Sequence, residues 1–261
     1  MKKLLKIGII TLLVVAIIYA VSYCIRVRKN ESGEISQEYA SHKTFIKDNL
    51  KDLPLLHFQS KKQSAGYFII ILAGDGGWRD FVDYLSKSIS SQGINVVGFN
   101  TIPYFNHTRT PHEIARDIQR VMTNFSDVWG KNKVILVGYS FGAEILPFVY
   151  NEMQNNFRNM ILCMALIAPS NLADFKVSPI YYYKPSRSKP VIPEIRKMKS
   201  IRTLIFCDKE RNSLCRYLND HDSIDLVNLS AEHMFTGKYK KVSSLITSSL
   251  IKEVDKLKTT K

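Results

Sequence analysis

The chain has 261 residues, 45% hydrophobic and 23% charged, a mixture that suits one large folded domain and excludes a disordered, collagenous or repeat-built protein. Its net charge of +14 raises nucleic acid as a partner, yet no helix-turn-helix, zinc-finger or RNA-binding signature accompanies it. There is also no paired-histidine helix motif, phosphate loop or cysteine–histidine spacing, so no metal and no other cofactor is expected.

The first segment, 1–29, carries Lys2, Lys3 and Lys6, then an apolar run from Ile7 to Cys24, then Arg26, Arg28 and Lys29. Such a pattern is a membrane signal, either an uncleaved anchor or a cleaved leader. The long apolar run favours the anchor, although Ala20-Val21-Ser22 would pass as a cleavage site, and the leading lysines favour a cytoplasmic N-terminus. Beyond this segment 31 basic residues face 23 acidic ones, a net +8, and an anionic membrane surface is the simplest partner for that charge.

A polar tether, 30–52, leads to a domain over 53–261. Strands are expected at Leu53–Ser60 and Tyr67–Gly74, then an amphipathic helix closed by Gly93, then a strand in INVVGFN. A helix follows from His112 to Gly130 with Pro111 just ahead of it, and the apolar run Val134–Val137 leads through Ser140 into another helical pattern. Strands at Met160–Ser170, Ile201–Asp208 and Ser223–Ser230 and a terminal helix complete the series. Alternation of this kind gives an α/β fold, a mostly parallel sheet with helices on both faces. Its functional residues belong just past the carboxyl ends of the strands.

Three such places carry chemistry. In GYSFG, Gly138 and Gly142 flank Ser140 between a strand and a helix, the setting of a nucleophile elbow, where the amide of Phe141 faces a developing oxyanion. The glycine-rich AGDGGW, Ala73–Trp78, permits a second donor from the Gly76 region. Carboxylates follow the Ile201–Asp208 strand at Asp208, the first choice for an acid, and Glu210. His233 lies between the last strand and last helix, so the chain order Ser140, then Asp208 or Glu210, then His233 is the hydrolase order.

Of the four cysteines, Cys24 sits at the membrane edge and Cys163 in an apolar run as a buried thiol. Cys207 and Cys215 flank a short loop that a disulfide would close in an oxidising compartment. Near 174–189 lies a modest insertion with Tyr181, Tyr182 and Tyr183, part of a lid in one reading, its tyrosines expected at an interface or in packing rather than in catalysis.

Taken in order, AGDGGWRD, VVGFNTIPYF, Arg109–Pro111, VGYSFGAEILP, Ala168–Ser170, Pro190–Ile195, SLC and the His233 segment resemble the VirJ/AcvB proteins of Gram-negative bacteria over about 67–239. The resemblance implies an α/β-hydrolase fold and a periplasmic serine hydrolase acting on aminoacyl phospholipid, chiefly lysyl-phosphatidylglycerol. It also implies an association with virulence and with type IV secretion components as partners. Cys207 stands where the family carries glycine, Asn212 where a carboxylate is expected, and Met234 where a second histidine is usual. A lysyl group needs an acidic partner, for which Asp75 comes first and Glu144 second, while Arg109 is expected to pin a loop. Two other readings share these residues: a non-enzymatic secretion factor, and a lipase or thioesterase with a different ester substrate.

Overall fold

A computed structural model of the full chain describes residues 48–62, 65–177, 188–209, 214–218 and 222–259. The membrane segment, most of the tether, Tyr181 to Tyr183, Glu210 and Asn212 lie outside the described residues. Among the described residues no helix is long and apolar enough to cross a membrane.

The strands are β1 (Leu55–Phe58), β2 (Phe68–Leu72), β3 (Asn95–Phe99), β4 (Val134–Tyr139), β5 (Ile161–Ile167), β8 (Arg202–Cys207) and β9 (Ile224–Asn228). They form one sheet in the order β1-β3-β2-β4-β5-β8-β9. Each neighbour pair is parallel except β1 with β3. A separate pair, β6 (Leu172–Ala173) and β7 (Lys189–Pro190), is antiparallel.

The sheet is buried from both sides, which is why its central strands read as unbroken apolar runs rather than alternating ones. On β2, Phe68, Ile70 and Leu72 join a cluster with helix α3 (Pro111–Trp129) and helix α4 (Phe141–Glu152), while Ile69 and Ile71 are equally buried on the other face. Helix α1 (Asp80–Ser91) and the terminal helix α7 (Tyr239–Thr259) pack together. Short helices α2 (Thr101–Tyr104), α5 (Asn155–Arg158) and α6 (Val191–Lys197) complete the set.

Helix α3 shows how sequence sets its ends. The Thr110 hydroxyl accepts from the Glu113 amide while the Glu113 carboxylate accepts from the Thr110 amide, and Pro111 occupies the first turn. Gly130 ends it in a left-handed conformation, φ 62°.

From β2 the chain steps outward to β3, then crosses back over β2 to β4. This reversal opens a crevice at the carboxyl end of the sheet, where β4 delivers Ser140.

Candidate active site

At the end of β4 the backbone bends sharply: Ser140 has φ 50° and ψ −117°, a strained setting for a residue with a side chain. The residues two positions away on either side must be glycines. A Cβ on Gly138 would lie 2.5 Å from the Ala143 nitrogen, and one on Gly142 would strike the carbonyl oxygens of Leu72, the last residue of β2, and of Ala73 just after it. Close packing of the turn against the adjacent strand thus holds the serine in place, and the Ser140 amide is tied across the sheet to the Ile167 carbonyl at 2.9 Å. As the first residue of α4, Phe141 has an amide that helix geometry leaves without an intrahelical acceptor.

Three strand ends bring the expected side chains together. Ser140 Oγ lies 2.8 Å from His233 Nε2, and His233 Nδ1 lies 2.7 Å from Asp208 Oδ2. Exposure grades along this chain: the Asp208 side chain is 4% exposed and that of His233 32%. A buried carboxylate therefore orients an imidazole that opens towards solvent and substrate. Glu210 lies outside the described residues, and Asp208 fills the acid position.

The loops that carry base and acid are also joined to each other. Lys209 donates its amide to the Ala231 carbonyl at 3.0 Å, and Leu229 to that of Cys207 at 2.9 Å. Cys207, the residue before Asp208, forms a disulfide with Cys215 across a Cα–Cα distance of 6.0 Å. Cys163 is a buried free thiol, as its apolar run implies, and burial pushes its pKa up to about 12.

Tyr139 is a residue that the sequence did not single out. Its hydroxyl donates to the His233 carbonyl at 3.0 Å, and its ring stacks on the imidazole with centroids 5.8 Å apart. Burial raises its pKa, so it remains a neutral donor.

The glycine-rich loop forms the facing wall. Gly77, at φ 77°, donates to the Gly74 carbonyl at 3.0 Å, which closes a tight turn with Asp75 and Gly76 at its tip. The Thr101 hydroxyl also donates to that carbonyl. A Cβ on Gly74 would come within 3.4 Å of Ser140 Cβ, so the turn lies directly against the serine.

Between these walls is a cleft of about 290 Å3, lined by Ser140 and His233 with Asp75, Arg79, Asp80, Tyr139, Met234 and Tyr239. Asp75 is exposed there. Glu144 does not line the cleft. Its Oε1 accepts from the Ser170 amide at 3.3 Å. Although the residue as a whole is only partly buried, protein crowds its carboxyl, and desolvation pushes its pKa up to about 7. Arg109 pins a loop, as expected: Nε donates to the Tyr104 carbonyl at 3.2 Å, with the guanidinium 4.4 Å from the ring centroid. Among the described residues no group of three His, Cys, Asp or Glu side chains is arranged to hold a metal ion. Arg79, Asp80 and Tyr239 went unassigned from sequence; the direct attachment of Arg79 and Asp80 to the glycine-rich loop was the available signal.

No curated protein matches the chain significantly. Among solved structures it is similar to an alpha-beta serine hydrolase homologue from Coxiella burnetii, at 16% identity and a TM-score of 0.53, covering 75% of this chain and 90% of that one. It is similar to Est1E from Butyrivibrio proteoclasticus, at 12% identity and a TM-score of 0.53, covering 77% and 94%. The proline iminopeptidase of Mycobacterium smegmatis gives 7% identity and a TM-score of 0.54, covering 77% and 94%. Likenesses at these identities establish the α/β-hydrolase fold and leave the substrate open, since a fold hosts many activities. The family model described as "Bacterial virulence protein (VirJ)" matches residues 66–254. With most of the domain matched, the serine elbow and its histidine included, the chain belongs to the VirJ family.

Proposed function

We propose that the protein is a serine esterase of the cell envelope that cleaves the aminoacyl ester of an aminoacylated phospholipid such as lysyl-phosphatidylglycerol. It works on the periplasmic side, tethered to the inner membrane by its N-terminal segment. The observation that carries the reading is the hydrogen-bonded series Ser140, His233 and Asp208 beside an open cleft.

His233 Nε2 takes the proton of the Ser140 hydroxyl as Oγ attacks the ester carbonyl carbon, while Asp208 steadies the imidazolium through Nδ1–H. The oxyanion is held by the Phe141 amide and an amide at the Asp75–Gly76 tip. Collapse of this intermediate expels the phosphatidylglycerol hydroxyl, which leaves with the proton from His233. Water, deprotonated by the same nitrogen, then attacks the acyl-serine and releases the amino acid. An exposed Asp75 in the cleft supports recognition of a cationic aminoacyl group. The disulfide next to Asp208 supports an oxidising compartment.

Fluorophosphonate labelling of the purified soluble domain tests the nucleophile: the parent domain is labelled and the Ser140→Ala variant is not. Equal labelling of both ends the proposal. Membrane lipids of cells carrying Ser140→Ala are expected to accumulate aminoacyl phospholipid by mass spectrometry. For selectivity, Asp75→Asn is expected to lower turnover of lysyl lipid about tenfold more than that of alanyl lipid, the scale of one charge-assisted contact. Equal losses on the two lipids would remove Asp75 from amino-acid recognition.

A further inference from the structure

The cleft holds one arginine or lysine among the described residues that line it, Arg79, and that residue has no part in the serine–histidine–aspartate series. Its guanidinium lies across Gly76, where a Cβ would sit 2.7 Å from Nη2 and 2.9 Å from Nε. Gly76 therefore leaves the space that this pose requires. Arg79 is exposed, and its guanidinium makes no hydrogen bond or ion pair with any described residue, in contrast to Arg109, Arg120 and Arg202. Its charge is felt at Tyr139, next to the nucleophile, and at Tyr239, which also lines the cleft.

A cation with a planar fork of donors, held over a glycine turn and left without an acceptor beside a nucleophilic serine, is suited to a phosphate oxygen. We infer that Arg79 is a specificity-determining residue that binds the phosphate of the alcohol half of the substrate. This rests on the esterase reading and deepens it. Asp75 addresses a cation on the acyl side, and Arg79 addresses an anion on the leaving side. Both charges belong to one aminoacyl phospholipid, so the cleft selects esters that carry phosphate over neutral esters with the same acyl group.

The test compares two soluble substrates, the lysyl esters of glycerophosphoglycerol and of glycerol. In Arg79→Ala the ratio of kcat/KM for the phosphate ester to that for the neutral ester is expected to fall about tenfold or more, the scale of a lost charge-assisted contact. Arg79→Lys, which keeps the charge and loses the fork, should give an intermediate ratio. An unchanged ratio in Arg79→Ala overturns the inference, whatever happens to both rates together. A second readout needs no turnover: calorimetric binding of glycerophosphoglycerol to Ser140→Ala, with and without Arg79→Ala. Weaker binding on loss of Arg79 supports the anion site even if neither ester is cleaved, an outcome that would remove only the esterase. Equal binding with and without Arg79 overturns the anion site while the esterase stands.

Discussion

Two corners of the sheet hold the reacting groups by opposite means. At the nucleophile corner, β4 to α4, position is fixed by exclusion: the start of α4 leaves Gly138 no room for a methyl group, and the backbone at the end of β2 leaves none for Gly142. The acid corner after β8 is instead fastened covalently, by the Cys207–Cys215 disulfide, and through backbone bonds to the His233 loop. The nucleophile corner draws on a core that exists for folding anyway, whereas the acid corner sits near the sheet edge, where β9 is only partly buried. There a cross-link adds to the packing of Cys207, Leu214 and Cys215 in the core.

Breaking the acid corner chemically, without disturbing its shape, should have the largest effect. Asp208→Asn is expected to lower kcat on a soluble lysyl ester about 10^4-fold while the disulfide and fold persist, because the imidazole loses its orienting charge. Next is a steric break at the nucleophile corner. Gly142→Ala must push its Cβ into β2 backbone carbonyls and should destabilise the domain by about 3 kcal/mol in urea unfolding. A neutral result would show that the turn can move away from β2. Replacing Cys207 and Cys215 together by serine sharpens the contrast. Loss of a loop constraint of this size is worth about 2 to 3 kcal/mol, and here kcat should fall with Tm because Asp208 adjoins Cys207. A loss of Tm with kcat intact would make the bridge a stability device alone.

The smallest effect concerns Glu144, in the first turn of α4. Its carboxyl has an ordinary value of 4.5 and rises to about 7 in the fold. The folded state therefore keeps the proton that the unfolded chain gives up, so this contribution to stability is full below about pH 4.5 and is lost as pH rises through 7. Glu144→Gln should change Tm little at pH 4 and raise it relative to the parent at pH 8. A Tm difference that does not change with pH would place its titration elsewhere.

Strands buried on both faces left an apolar signature that any reading detects, and Ser140 and Asp208 were legible because each directly follows such a strand, while His233 was legible from its place between the last strand and the last helix. The antiparallel pairing of β1 was not legible, since period and composition carry no direction. Helices α2 and α6 were missed because each is a few residues long with a proline inside, at Pro103 and Pro193. Tyr139 shows the other limit. As the last residue of an apolar strand it reads as core, and only the fold brings its hydroxyl to a carbonyl 94 positions away. For Glu144 the family resemblance suggested a partner for a lysyl group, second to Asp75, and the structure has its oxygen accepting from the Ser170 amide.

Ser140, Asp208 and His233 meet only after strands far apart in the chain have docked side by side. A chain whose last strand, Ile224–Asn228, has not yet docked carries a serine without its base. The nucleophile is thereby silent until that point, and competence arrives with the closing of the final strand. Hydrolytic chemistry is in this way withheld by topology until the sheet is complete.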